Sequence, residues 1–243
     1  MANNFKLAHN IKTFYNQYDI SCPLNQSDIA LARPVIDIRT FCGNQQIASS
    51  SYSPTLSFNG FADYVDDQWD EISFGTMTST TVGAIGNIYG TTRGDESYDV
   101  IGLANARATP ASVGGVIGLS GGVTGQQLLR GKALCVDQAV TGTGAQTGVN
   151  VGAITAGLTT GVIYRLTAAT ALTTITAVIQ HSSDSTNGTD GTWATVTGLS
   201  FTATGLTWEL DSVTTGTSAW LRVNTTAFTG TSATLTIVAG RLI

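Results

Sequence analysis

In Val162-Ile-Tyr-Arg-Leu-Thr167, residues Val162, Tyr164 and Leu166 alternate with Ile163, Arg165 and Thr167. The same two-residue period returns in Leu206-Thr-Trp-Glu-Leu-Asp211 and Thr234-Leu-Thr-Ile-Val-Ala239, and Leu56 and Phe58 alternate with Thr55, Ser57 and Asn59. Successive side chains of an extended chain point to opposite faces, so each stretch predicts a strand with one face in a core. Threonine, 39 of the 243 residues, suits the outward face, because its branched Cβ fits the pleat while its hydroxyl stays hydrated. Asn59-Gly60, Asn187-Gly188, Asp190-Gly191 and several Thr-Gly pairs read as turns between strands. The fold expected is all-β: two packed antiparallel β-sheets forming a sandwich, with one short flanking helix. That helix is placed at 66–73, where Asp66, Asp67, Asp70 and Glu71 surround Trp69 and Ile72.

Composition narrows the function. Charged residues make up 11% of the chain, and 11 cations against 16 anions leave a net charge of −5. The balance is acidic, which argues against gripping a nucleic-acid duplex by neutralising its phosphates. Cys22, Cys42 and Cys135 are odd in number and widely spaced, so three mostly buried thiols are expected, neither disulfide framework nor zinc site. The first residues lack the layout of a signal peptide, and no apolar run is long enough to span a membrane. The most apolar stretch, 113–123, is broken by five glycines and a serine. Residues 1–150 carry 12 of the 16 acidic groups, whereas 151–243 carry 25 threonines and no lysine. Between them, Thr141-Gly-Thr-Gly-Ala-Gln-Thr-Gly148 reads as a loop or hinge inside a single domain covering 1–243.

Motifs of catalysis are incomplete. Gly118-Leu-Ser120-Gly-Gly122 fits the spacing of a nucleophile elbow, with Asp137 and His181 following in order. Yet such an elbow requires a helix after the serine, and glycines follow here. Gly125 to Lys132 misses the phosphate-loop spacing, with Ala133 at the position of the metal-binding hydroxyl. His9 and His181 lack partners at ligand spacing, Asp184 to Gly191 misses the calcium-loop pattern, and Arg93-Gly94-Asp95 reads as a polar turn. The expectation is a protein that is not an enzyme, with no cofactor and no metal. A β protein with few charges to desolvate and many strand edges is suited to packing against copies of itself.

Tyr18-Asp-Ile-Ser-Cys-Pro-Leu-Asn25, Pro34-Val-Ile-Asp-Ile-Arg-Thr-Phe-Cys-Gly43 and Ser53-Pro-Thr-Leu-Ser-Phe-Asn-Gly-Phe61 resemble the opening of tail tube (major tail) proteins of long-tailed, siphovirus-like bacteriophages. Val178-Ile-Gln-His-Ser-Ser-Asp184, Thr192-Trp193, Trp220-Leu-Arg-Val223 and Thr229-Gly-Thr231 are similar to a pattern of phage tail tube and virion β proteins. The chain departs from the family at Cys42, at Asn44 and in a longer stretch from Ser183 to Gly191. The resemblance implies a homo-oligomer of hexameric rings stacked into a tube, contacts with other tail proteins, and DNA passing through the lumen without specific binding. It implies a virion location after synthesis in the host bacterial cytoplasm, with no membrane partner.

Two surfaces follow from this reading. An inter-ring stacking loop is expected between Thr40 and Pro54, carrying Thr40, Gly43, Asn44, Gln45, Gln46, Ser49, Ser50 and Tyr52. An acidic interface patch is expected at Asp63, Asp66, Asp67, Asp70 and Glu71, with Arg93, Arg107 and Arg130 of a neighbour as partners. The alternatives are a capsid decoration or tail-completion protein on a related sandwich, and a carbohydrate-binding module or hydrolase using Trp193, Trp208 and Trp220.

Overall fold

The computed structural model describes residues 11–32, 35–40, 43–48, 52–62, 72, 74–75, 77, 81–110, 115 and 117–243, with 35–40 and 43–48 described by their backbone. The strands in chain order are β1 (Lys12–Tyr15), β2 (Tyr18–Asp19), β3 (Leu24–Ala32), β4 (Val35–Thr40), β5 (Gly43–Ala48), β6 (Ser53–Phe61), β7 (Gly83–Ile88), β8 (Glu96–Ala108) and β9 (Gly118–Val140). They continue as β10 (Gly144–Ala145), β11 (Val149–Asn150), β12 (Thr159–Thr170), β13 (Thr174–Ser182), β14 (Ala194–Ala203), β15 (Thr207–Val213), β16 (Trp220–Thr229) and β17 (Ser232–Leu242). The alternating stretches form strands within β6, β12, β15 and β17, except that Leu206, expected on an inward face, precedes β15 and is exposed. Ile72, Phe74, Gly75 and Met77 are helical. The rest of the expected helix, 66–71 and 73, lies outside the described residues.

The chain divides into two compact units: residues 1–21, 86–99 and 129–243 form the first, and 22–85 with 100–128 form the second. In the first unit one sheet runs β15–β12–β17–β9–β8–β7–β1–β2, to which β7, β8 and β9 contribute residues 86–88, 96–99 and 129–140, and a second sheet runs β14–β13–β16 with β10 and β11 on the far edge of β16. The segment 141–150 supplies β10 and β11, so the middle of the Gly/Thr stretch and the residues just after it are tied to β16 by backbone pairing. The inner faces meet in a core that includes Val162, Tyr164, Leu166, Leu235, Ile237, Ile175, Ile179, Phe201, Leu221 and Val223. Tyr164 and Phe201 stack with ring centroids 5.3 Å apart. Burial, with Asp211 and Glu209 adding to it, pushes the Tyr164 phenol well above its ordinary range.

The alternation of β12 leaves its second face either in solvent or against a neighbour, and in the structure that face is covered. Every residue from 160 to 166 is buried. Arg165 stands on that second face beside Ile163 and is fully buried. It pairs with buried Asp99, donates from Nε to the Asn16 carbonyl at 2.8 Å, and lies 5.4 Å over the Phe14 ring. Asp99 also accepts a hydrogen bond from Ser97 at 2.9 Å. Taking two charges out of water is tolerable only with such close pairing and added hydrogen bonds. The first unit thus has a core on each side of β12.

In the second unit β6 pairs with β3 on one side and with the first half of β9 on the other. Its buried apolar side chains include Leu56, Phe58, Ala84, Ile85, Val100, Ile101, Leu119, Val123 and Leu128. Asn59-Gly60, read above as a turn, lies inside β6 instead. A Cβ on Gly60 would stand 2.2 Å from the Pro23 carbonyl oxygen, so this glycine serves a close backbone approach. The glycine-broken stretch also enters a strand, since β9 runs unbroken from Gly118. Cys135 is buried, which pushes its thiol up to about 12, but Cys22 is exposed, against expectation; Cys42 lies outside the described residues.

Candidate functional site

The stretch expected as a stacking loop is largely a hairpin. β5 pairs with β4 in a register running from Val35 opposite Ala48 to Thr40 opposite Gly43, which places Gly43, Asn44, Gln45 and Gln46 in strand. An Asn-Gln-Gln run lacks the apolar alternation that marks a strand, so only pairing to Val35-Ile-Asp-Ile reveals it. Ser49 and Ser50 lie outside the described residues, and Tyr52 is exposed just before β6. Asp63, Asp66, Asp67, Asp70 and Glu71 also lie outside the described residues. Their proposed partners separate: Arg93 and Arg130 belong to the first unit and Arg107 to the second. Arg107 lies 5.7 Å over the Phe74 ring.

Sequence reasoning missed a basic face on the first unit. Arg130 on β9 stands directly opposite Arg241 on β17, and Lys132 is two residues along β9, so all three share one face. Between them Gly131 faces Gly240; a Cβ on either would meet the opposite backbone at 2.2 Å, which keeps the two strands close. Arg130 lies 5.7 Å over the Tyr98 ring. Lys132 donates to the Asn150 carbonyl at 3.0 Å and stands 3.9 Å from Glu96. Beside these cations a cavity of about 350 Å³ opens, closed by the backbone of Val151 to Ile154 and by Leu158. The sequence shows only the Arg130–Lys132 pair, and strand register brings the distant Arg241 beside it.

A second cluster gathers residues that the family pattern singled out. Gln180 on β13 pairs with Arg222 on β16, and Arg222 donates from Nε to the Gln180 side-chain oxygen at 2.8 Å. The Arg222 guanidinium covers Trp193 at 4.2 Å from the ring centroid, and the Trp193 indole N–H donates to the Asp190 carbonyl at 2.9 Å. The loop from Ser183 to Thr192 is held by its own carboxylates. Asp190 accepts from the Thr186 and Ser185 hydroxyls at 2.6 and 2.8 Å, and from the Thr186 and Asn187 backbone N–H groups at 2.9 and 3.2 Å. These bonds hold its carboxyl far below the usual range, and bonds from Ser182 and Thr192 lower Asp184 likewise. Gly148 donates to the Gly188 carbonyl at 2.7 Å, tying this loop to the segment before β11. Carboxylates so engaged are the loop's own scaffold, and among the described residues no group of His, Cys, Asp and Glu is arranged to hold a metal ion.

The residues considered for catalysis are not assembled as a triad. Ser120 lies within β9 opposite Asn59, with strand on both sides instead of an elbow. His181 uses Nδ1 to accept the Ser218 backbone N–H at 3.2 Å. Asp137 pairs with Lys12 at 2.9 Å. Gly125 to Lys132, read against a phosphate loop, is strand throughout. Arg93-Gly94-Asp95 is a turn in which the Asp95 carboxylate accepts the Thr92 hydroxyl and N–H, both at 2.9 Å. Trp193, Trp208 and Trp220 stand on different elements, and the Trp193 face is occupied by Arg222.

No protein-family model matches the chain, and no curated protein matches it. Among solved structures, it is similar to the SPP1 Dit (gp 19.1) protein, described as a paradigm of the hub adsorption apparatus in phages infecting Gram-positive hosts, at 10% identity and a TM-score of 0.34. The similarity covers 95% of this chain and 98% of that one.

Proposed function

We propose that this chain is a structural protein of a phage tail that assembles with copies of itself and with other tail proteins. The observation that carries the reading is where apolar surface is exposed. Among the described residues the second unit leaves Leu31, Phe61, Phe74, Met77, Val82, Leu103 and Ile117 exposed, whereas the first exposes only Leu158, Leu206 and Ile243 of comparable size. Large apolar side chains left in water gain free energy when a partner covers them, and here most of them belong to one compact unit. The motif residues Gln180, Trp193 and Arg222, drawn from the tail and virion pattern, also pack together as one cluster. The finer form of the proposal is a tail tube of stacked hexameric rings, in which a net charge of −5 would let DNA slide through the lumen.

Negative-stain microscopy of the purified protein, alone and with a tail nucleator, tests this. Open stacks of rings are the expected product. Single closed rings would replace the tube by a hub or completion role, small oligomers that bind capsids would make it a decoration protein, and a monomer with saturable glycan affinity would overturn the structural reading.

A further inference from the structure

We infer that the Arg130–Lys132–Arg241 face receives the acidic segment Asp63 to Glu71 of a second copy of the chain; the inference rests on the self-assembly proposed above. Like charges directly opposite on neighbouring strands repel, and β9 and β17 hold Arg130 and Arg241 in that relation. Both are exposed, and among the described residues neither has a carboxylate at ion-pairing distance. Glu96 supplies one negative charge against the three cations, at 3.9 Å from Lys132. The cavity beside them leaves room for an incoming chain.

The other described carboxylates are largely engaged elsewhere. Asp19 and Asp137 hold Lys12, Asp99 holds Arg165, Asp95 closes the Thr92 turn, Asp184 and Asp190 hold their own loop, and Asp211 accepts the Ser200 N–H. The one dense run of carboxylates in the sequence is Asp63, Asp66, Asp67, Asp70 and Glu71, five within nine residues. An acidic segment meeting a different, basic surface on the next copy makes a head-to-tail contact, which propagates into rings or stacks. Arg130 of the arginines first considered is thus retained, joined by Lys132 and Arg241, while Arg93 and Arg107 have no part in this face.

The test uses three full-length proteins: wild type, R130Q/K132Q/R241Q, and D63N/D66N/D67N/D70N/E71Q, each checked for an unchanged melting curve. Sedimentation at low and high ionic strength gives the critical concentration for assembly. At low salt either variant is expected to raise it by about tenfold or more, and high salt to bring wild type toward the variants. Mixing the two variants should give a two-chain complex that does not elongate, since only one complementary contact remains between them. Wild type that never assembles overturns the assembly reading, and this contact with it. Wild type that assembles while the basic-face variant assembles equally well at every salt concentration overturns the contact alone. So does a mixture of the two variants that yields no complex, or wild-type assembly that is abolished by neutralising the acidic segment yet indifferent to the basic face. A free phosphate that binds monomeric wild type while the acidic segment proves dispensable would assign the face to a small anion instead.

Discussion

The first unit buries both faces of its central strand, whereas the second leaves large apolar side chains in solvent. In the first, β12 is covered by the Tyr164–Phe201 core on one side and by the Arg165–Asp99 pair with Phe14 on the other. In the second, Leu56 and Phe58 are buried but Phe61, on the same strand, is exposed. The lesson is that burial is uneven: among the described residues the first unit covers most of its large apolar side chains within the chain, whereas the second leaves more of them exposed. This contrast can be broken or sharpened by measurement.

The largest effect is expected at the buried ion pair. Arg165→Ala strands Asp99 without its partner and should destabilise the first unit by about 3–5 kcal/mol in denaturant unfolding. The double variant R165M/D99L removes both charges and should recover much of that loss; if it is as unstable as R165A, burial of an unpaired charge is not the cause. Next, Leu235→Ala in the first unit should cost about 2–5 kcal/mol through lost burial and a cavity. Leu103→Ala, on an exposed side chain of the second unit, should stay within about 0.5 kcal/mol while weakening assembly. Equal stability losses at the two leucines would erase the contrast between the units.

A smaller effect is expected at Gly60. Its added Cβ would meet backbone, which cannot turn aside, so Gly60→Ala should cost the second unit about 1–3 kcal/mol and register as a lower melting temperature. The smallest concerns pH. Burial raises Glu209 and Asp211 on β15 above the usual carboxylate range, and the neighbouring Asp211 raises Glu209 further. The native state therefore holds these protons more tightly than the unfolded chain, so their contribution falls as pH rises through the window above their ordinary values. The lowered carboxyls Asp184 and Asp190 act oppositely, contributing above their ordinary values and losing that contribution as pH falls through their depressed ones. E209Q/D211N should flatten the first slope and D190N the acid limb, both read from melting temperature across pH.

What could be read directly is the strand pattern, because alternation of side chains is a local property. Val162 to Leu166, Leu235 to Ala239 and Leu56 to Phe58 announced both their strands and their inward faces. Legibility failed wherever a residue's role depended on a distant neighbour. Asn59-Gly60 looked like a turn because a glycine needed for approach to Pro23 is spelled like a glycine needed for a bend. The Asn-Gln-Gln of β5 looked like loop because nothing local marks a strand that is specified by its partner.

The sequence by itself therefore determined the class of the protein: all-β, with alternating strands, few charges and no complete catalytic motif. Tertiary structure alone decided that Arg165 is a buried ion rather than an outward-facing one, and that Arg130, Lys132 and Arg241 share a face. Period two assigns a side chain to one side of a sheet, but what covers that side is set by strands separated by tens or a hundred residues. Asp99 lies 66 residues before Arg165. Charges become a site, or a core, only when register across such distances places them together.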